Sequence, residues 1–232
     1  MAVQLRLISP RVVAVMLIFV VGIPLLPILI SWQWNWWEAW LYAGVTILGF
    51  VSSRWLVARS HPDLLAERAK FLRHQNAERW DRILAPLLSF GGGMVPLVAG
   101  LDALLMWSPQ FDLSLKIPAI FLMTSGYILG SYALVANPYF SGVVRIQADR
   151  GHKVISQGPY KWIRHPGYAG GLLTFLATPI LLDSGWAFLP VAFTTLVLVV
   201  RTSFEDRTLQ DKLEEYRTYA QLVRYRLIPG IW

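Results

Sequence analysis

Six long apolar runs, separated by segments that carry almost all of the positive charge, constrain this chain more than any other feature. The runs are Val12–Ser31, Trp36–Ala58, Ile83–Trp107, Ile117–Asn137, Pro166–Leu182 and Trp186–Val200. A helix needs about 20 such residues to cross the hydrocarbon core of a bilayer. The last two runs are shorter and meet at Asp183-Ser184-Gly185, so they read as a tight helical hairpin. With 55% hydrophobic and only 15% charged residues over 232 positions, the chain is too apolar for a soluble domain of this size.

Basic residues test the count independently, because Lys and Arg are retained on the cytoplasmic side during insertion. With the N-terminus inside, Arg6 and Arg11 precede the first span, and Arg54 to Arg82 surround the second loop. Arg145 to Arg164 fill the fourth loop, and Arg201 to Arg226 follow the last span. Of the 21 Lys and Arg, this leaves only Lys116 outside. The expectation is an all-α integral membrane protein with about six transmembrane helices and both termini cytoplasmic. The net charge of +7 then reflects topology and contact with anionic lipid, with no nucleic acid needed.

Arg6 and Arg11 before an apolar core imitate a signal peptide, yet Pro24, Pro27 and a Trp-rich segment stand where a small-residue cleavage site would be. Trp32, Trp34, Trp36, Trp37 and Trp40 read as an aromatic belt at the outer interface. Residues 60–80 have the weak pattern of an interfacial amphipathic helix, and a plain cytoplasmic connector is the favoured reading. Gly91-Gly92-Gly93 suggests close helix packing, and Asp102 an interface residue. The absence of Cys excludes disulfides, thiolate nucleophiles and Cys-ligated metals, and no metal is expected.

Two polar clusters break the apolar pattern. Gly158-Pro159-Tyr160-Lys161-Trp162-Ile163-Arg164-His165-Pro166-Gly167-Tyr168 mixes ionisable, aromatic and turn-forming residues at a membrane edge, which suits a loop built to hold a polar ligand. Arg201 and Glu205 are four apart and so share one helix face. If the last two runs form a hairpin, the His165 end of one and the Arg201–Glu205 end of the other return to the same edge, across a shared cavity.

The succession Gln147, His152-Lys153-Val154-Ile155, Gly158-Pro159-Tyr160, Arg164-His165-Pro166-Gly167-Tyr168, Arg201-x-x-x-Glu205-Asp206, Tyr216-x-x-Tyr219 and Arg226-Leu227-Ile228-Pro229-Gly230 resembles the isoprenylcysteine carboxyl methyltransferase family and the related phospholipid methyltransferases. The resemblance covers roughly residues 137–232 and marks that stretch as the catalytic region, with residues 1–136 supplying the N-terminal membrane helices. It implies an S-adenosylmethionine-dependent membrane methyltransferase whose cofactor sits in a cytoplasmic loop. It also implies that Gln147, His152, Lys153, Val154, Ile155, Tyr160, His165, Pro166, Gly167, Tyr168 and Glu205 line the cofactor. Arg201 would face the methyl acceptor, and Arg201, Glu205 and His165 would form the catalytic set. The family's usual Glu-Glu pair stands here as Glu205-Asp206. A lipid-like acceptor reaching the site laterally from the bilayer is expected. A prenylcysteine-like carboxylate and a phospholipid amine are both compatible, and the rival classes are a sterol-type membrane reductase using NADPH and a non-catalytic scaffold.

Overall fold

The computed structural model describes residues 17–69 and 76–232 and is helical throughout, with no β-strand among the described residues. Its helices fall on the apolar runs. After a π-helical turn at Ile18–Gly22 come α1 (Ile23–Ser31), α2 (Trp37–Ser60), the short α3 (Pro62–Ala69), α4 (Asp81–Leu105) and α5 (Leu113–Ala136). A long loop with two 3-10 turns leads to α6 (Pro166–Leu181), α7 (Phe188–Lys212) and α8 (Tyr216–Leu222). Four helices, α2, α4, α5 and α7, are long and apolar enough to cross a bilayer, and Ile18–Ser31 is a shorter apolar helix. The beginning of the first expected span, with Arg6 and Arg11, lies outside the described residues. Helix α6 has 16 residues, about 24 Å at 1.5 Å per residue, less than the core thickness. Helix α7 continues twelve residues beyond the expected Val200, because polar residues from Arg201 onward keep the helix and lose only its apolarity.

Large apolar side chains face outward: Leu48, Phe90, Phe121, Ile128 and Leu196 are all exposed. In lipid such residues gain nothing by burial, and helices associate through close packing of small residues. The most extensive helix pair, α5 with α6, shows this. Gly126 and Gly130 on α5 meet Gly170 on α6 so closely that a Cβ on Gly170 would sit 2.5 Å from the Gly126 carbonyl oxygen and 2.9 Å from the Gly130 nitrogen. Gly91 plays the same part between α4 and α7, where a Cβ would strike Thr194.

The two ends of the bundle are chemically distinct. At one end Lys116 Nζ pairs with Glu38 at 2.5 Å and Asp183 at 2.7 Å, tying α2, α5 and the α6–α7 turn together. Buried Asp102 accepts from Ser108 N and Oγ (2.9 and 2.7 Å) and from Ser184 Oγ (2.6 Å), so it staples α4 to that turn. Trp32, Trp34, Trp37 and Trp40 are exposed there, as a belt requires. Trp36 departs from the expected belt, because it is 8% exposed and packs in the core. The opposite end carries the loop 137–165 and the polar clusters.

Candidate functional site

Chain topology brings the two polar clusters together. Helix α6 begins at Pro166, a favoured first-turn position because its missing N–H would be unsatisfied anyway. The hairpin returns α7 so that Tyr168 Oη donates to Glu205 Oε2 at 2.5 Å. The His165 and Tyr168 rings stack, with centroids 5.7 Å apart and planes within 3°. A cleft opens here, lined by His152, Lys153, Val154, Ile155, Tyr160, His165, Gly167, Tyr168, Arg201 and Glu205. Ten of the residues anticipated from sequence thus share one wall.

Two anticipated residues do not line it. Gln147 is fully buried, and its amide is occupied: Nε2 donates to Tyr139 O at 2.6 Å and Oε1 accepts from Arg150 Nη1 at 2.5 Å. It braces the loop that presents His152. Pro166 is buried in the first turn of α6 and acts on the backbone.

Arg201 is 5% exposed and heavily engaged. Its Nε and Nη2 reach Asp81 Oδ1 and Oδ2 at 2.7 and 3.1 Å, Nη2 donates to Gly142 O at 3.3 Å, and Nη1 meets the Tyr168 hydroxyl. Asp81 also accepts from Val144 N at 2.6 Å, so one carboxylate at the start of α4 links the loop to α7. Asp81 carried no sequence signal, since its partner lies 120 positions away.

Asp206 is the second hub. Its carboxylate accepts from Arg164 Nε and Nη2 (2.7 and 2.9 Å), Tyr216 Oη (3.0 Å), Gln210 Nε2 (2.9 Å) and Arg226 Nε (2.9 Å), with His165 Nε2 at 3.4 Å. Arg164 Nη1 also donates to the carbonyls of Val223 (2.8 Å) and Arg224 (3.0 Å) at the end of α8. The C-terminal segment closes over this network through Arg164 N to Tyr225 O and His165 N to Arg226 O, both 2.9 Å. Two adjacent carboxylates therefore differ in duty: Asp206 is saturated and interior, whereas Glu205 holds one hydrogen bond and faces the cleft.

The segment Asn137-Pro138-Tyr139-Phe140, which reads from sequence as a helix end, is that and also cleft wall. Asn137 caps its own turn by accepting from Tyr139 N at 2.8 Å and reaches Tyr160 Oη at 3.3 Å. Tyr216 and Tyr219 complete an aromatic side. Among the loop groups, burial and then the charges of Arg145 and Arg150 pull His152 down to about 4, so it is neutral at physiological pH.

Helix α3 is more than a connector. Leu64 and Glu67 are buried, Arg145 is held between Glu67 (Nε at 3.0 Å) and Asp149 (Nη1 at 2.8 Å), and Arg68 Nη1 donates to Phe140 O at 2.8 Å. The loop is anchored on it. The rest of the expected 60–80 helix is a turn over residues 76–80, and residues 70–75, with Phe71 and Leu72, lie outside the described residues.

A second cavity, mostly apolar, lies between α2, α5 and α6, and Phe140 and Gly167 line both it and the cleft. It shares Gly49, Tyr127 and Ser131 with a groove on the α2–α5 face. Gly49 makes room for the Tyr127 ring, which a Cβ there would approach to 2.6 Å.

Comparison with known proteins agrees with this picture. A probable protein-S-isoprenylcysteine O-methyltransferase of Oryza sativa subsp. indica is 24% identical over 80% of this chain and 93% of its own length. Methanethiol S-methyltransferase 1 of Bradyrhizobium diazoefficiens is 39% identical, over 30% of this chain and 24% of that one. The solved structure of the eukaryotic intramembrane Ras methyltransferase ICMT superposes with a TM-score of 0.55 at 18% identity, over 95% of this chain and 77% of that one, and so shares the fold. Residues 119–211, which run from α5 through the loop and hairpin to Glu205 and Asp206, match the sequence model of the isoprenylcysteine carboxyl methyltransferase (ICMT) family, so this stretch of the integral membrane protein is similar to that family of methyltransferases.

Proposed function

We propose that this protein transfers the methyl group of S-adenosylmethionine to the carboxylate of a prenylcysteine-like amphiphile, with the cofactor in the cleft and the acceptor arriving from the bilayer. One observation carries the reading: a polar, aromatic-lined cleft shares the wall of Phe140 and Gly167 with an apolar cavity that continues to the membrane-facing side. The residues suit the cofactor's groups. Glu205 offers a carboxylate to an ammonium, Lys153 a cation to a carboxylate, neutral His152 a hydrogen bond, and Tyr139, Tyr216 and Tyr219 ring faces to a base or a cationic sulfur. When bound, S-adenosylmethionine supplies an electrophilic methyl on a sulfonium.

The chain's own task is to orient and to keep the site dry. A carboxylate acceptor is nucleophilic without losing a proton, so no general base is required. Closing the site with Tyr160, Tyr168 and the C-terminal segment excludes water and fixes the line of attack. Arg201, neutralised by Asp81, acts as a positioning residue: it holds the Tyr168 hydroxyl, which holds Glu205. Residues 137–232 form the catalytic region, with Asp81 and α3 as its supports. The concentration of basic residues at this end supports a cytoplasmic setting for the cleft and both termini.

The methyl acceptor named for the Bradyrhizobium relative is a small thiol. The length of the apolar path favours a long-chain acceptor over that reading. Calorimetry of S-adenosylmethionine with the detergent-purified protein tests the proposal. Wild type binds, Glu205→Ala loses tenfold or more of the affinity while its unfolding midpoint holds, and His165→Ala also weakens binding. A well-folded wild type that binds no cofactor, or affinities untouched by either change, overturns it.

A further inference from the structure

We infer that Arg54 and Arg68 form a carboxylate-binding subsite in the apolar cavity between α2, α5 and α6, and that this subsite holds the acceptor's anionic head beside the cleft. The inference rests on the methyl-transfer reading and adds the groups that choose the acceptor.

Six arginines around the cleft and the cavity fall into two sets. Arg145, Arg164, Arg201 and Arg226 each have a carboxylate within 3.0 Å: Glu67 or Asp149, Asp206, Asp81 and Asp206 respectively. Arg54 and Arg68 have none among the described residues. Arg54 has only the Ser53 hydroxyl at 3.5 Å and lies over the Phe50 ring, 4.3 Å from its centroid. Arg68 donates one bond, from Nη1 to Phe140 O, and sits 5.6 Å from the Phe140 ring centroid. Both line the same cavity, whose other walls include Gly126, Gly130, Gly167, Gly171, the Ser53, Ser131 and Thr174 hydroxyls and aromatic rings.

A guanidinium without a counter-ion in such surroundings is costly, and a pair repels as well. Burial, with Arg201's charge adding to it, draws the Arg68 guanidinium below its ordinary range. An arriving carboxylate removes that cost, and the planar forks of two guanidiniums offer it parallel donors. Arg68 is also placed for transfer. Its main-chain partner Phe140 borders the cleft, and Arg68 lies within electrostatic reach of Arg201. Arg201 itself is occupied by Asp81 and Lys153 is assigned to the cofactor's carboxylate, so the cavity's own cations for an acceptor anion are Arg68 and, further along, Arg54. The same pair repels an ammonium, which selects carboxylate O-methylation over amine N-methylation.

The test uses full-length protein in phosphatidylcholine nanodiscs and two probes, an S-prenyl N-acetylcysteine and its carboxamide. Wild type should prefer the carboxylate. Arg54→Gln and Arg68→Gln should each erode that preference about tenfold while carboxamide affinity stays constant, and Arg68→Lys should retain part of it. Arg54 makes a single long side-chain hydrogen bond, to Ser53, so Arg54→Gln reports even where loss of the Arg68–Phe140 bond disturbs the loop. An unchanged preference in Arg54→Gln and in the double variant overturns the subsite. So does a preference that is unchanged while retention of phosphatidylglycerol falls, which would assign the pair to a lipid phosphate. S-adenosylmethionine binding, measured on the same samples, separates the two claims: its absence in wild type removes the methyl-transfer reading, whereas loss of the carboxylate preference still stands for the subsite.

Discussion

Glu205 and Asp206 are neighbours in sequence and differ in almost everything else, because α7 turns one toward the cleft and the other into a cage of Arg164, Arg226, Tyr216 and Gln210. Removing a carboxylate that satisfies a buried guanidinium leaves that charge stranded, at a cost of roughly 3–5 kcal/mol. Asp206→Ala should therefore lower the thermal unfolding midpoint sharply, whereas Glu205→Gln should leave it within a degree or two and weaken the cofactor instead. Paired thermal scans and calorimetry on the two variants check the contrast. His152 provides a pH handle. Its folded value of about 4 lies below the ordinary 6.5, so between these values the unfolded chain binds a proton that the folded chain refuses. Its contribution to stability is complete above about 6.5, is lost as pH falls toward 4, and changes no further below that. A His152→Gln variant should show a flatter midpoint-versus-pH curve across this window. The residue types of the site were legible in the sequence, but their duties were not: nothing in the local pattern distinguishes a saturated Asp206 from an available Glu205, or couples Arg201 to Asp81.

At the scale of elements, α5 and α6 make the tightest pairing, and it depends on the missing side chains of Gly126, Gly130 and Gly170. Gly170→Val should force backbones apart and destabilise by about 1–3 kcal/mol, read as a lower unfolding midpoint and faster proteolysis. Gly44→Ala, where a Cβ meets nothing within 4 Å, should be neutral in the same assays. Gly91-Gly92-Gly93 was readable as a packing site, since three consecutive glycines in an apolar run have few other uses. Gly126 and Gly130 are a commonplace spacing whose partner is visible only when α6 is laid beside it. Helix α3 was undervalued for a related reason. Its amphipathic pattern is weak, and its importance comes from Glu67 and Arg68 bonding to residues more than 70 positions away.

For the molecule as a whole, the continuity of apolar groove, arginine-bearing cavity and polar cleft makes Gly49 a gate position, since Tyr127 fills the space a side chain would need. Gly49→Leu should slow turnover on a long-chain acceptor several-fold while S-adenosylmethionine affinity is unchanged, measured by initial rates alongside calorimetry. Hydropathy and the distribution of Lys and Arg were enough to read an all-helical membrane protein and the edge where the polar clusters meet, because insertion into a bilayer acts on the chain locally, segment by segment; of the six expected spans, four are, among the described residues, helices long and apolar enough to cross. The order of motifs in residues 137–232 likewise pointed to the family whose sequence model matches residues 119–211. The tertiary structure alone decided which charges are neutralised and which are free to meet a ligand. That balance depends on partners such as Asp81 with Arg201 and Glu67 with Arg145, which no local pattern relates and which only the packing of distant helices brings within hydrogen-bonding distance.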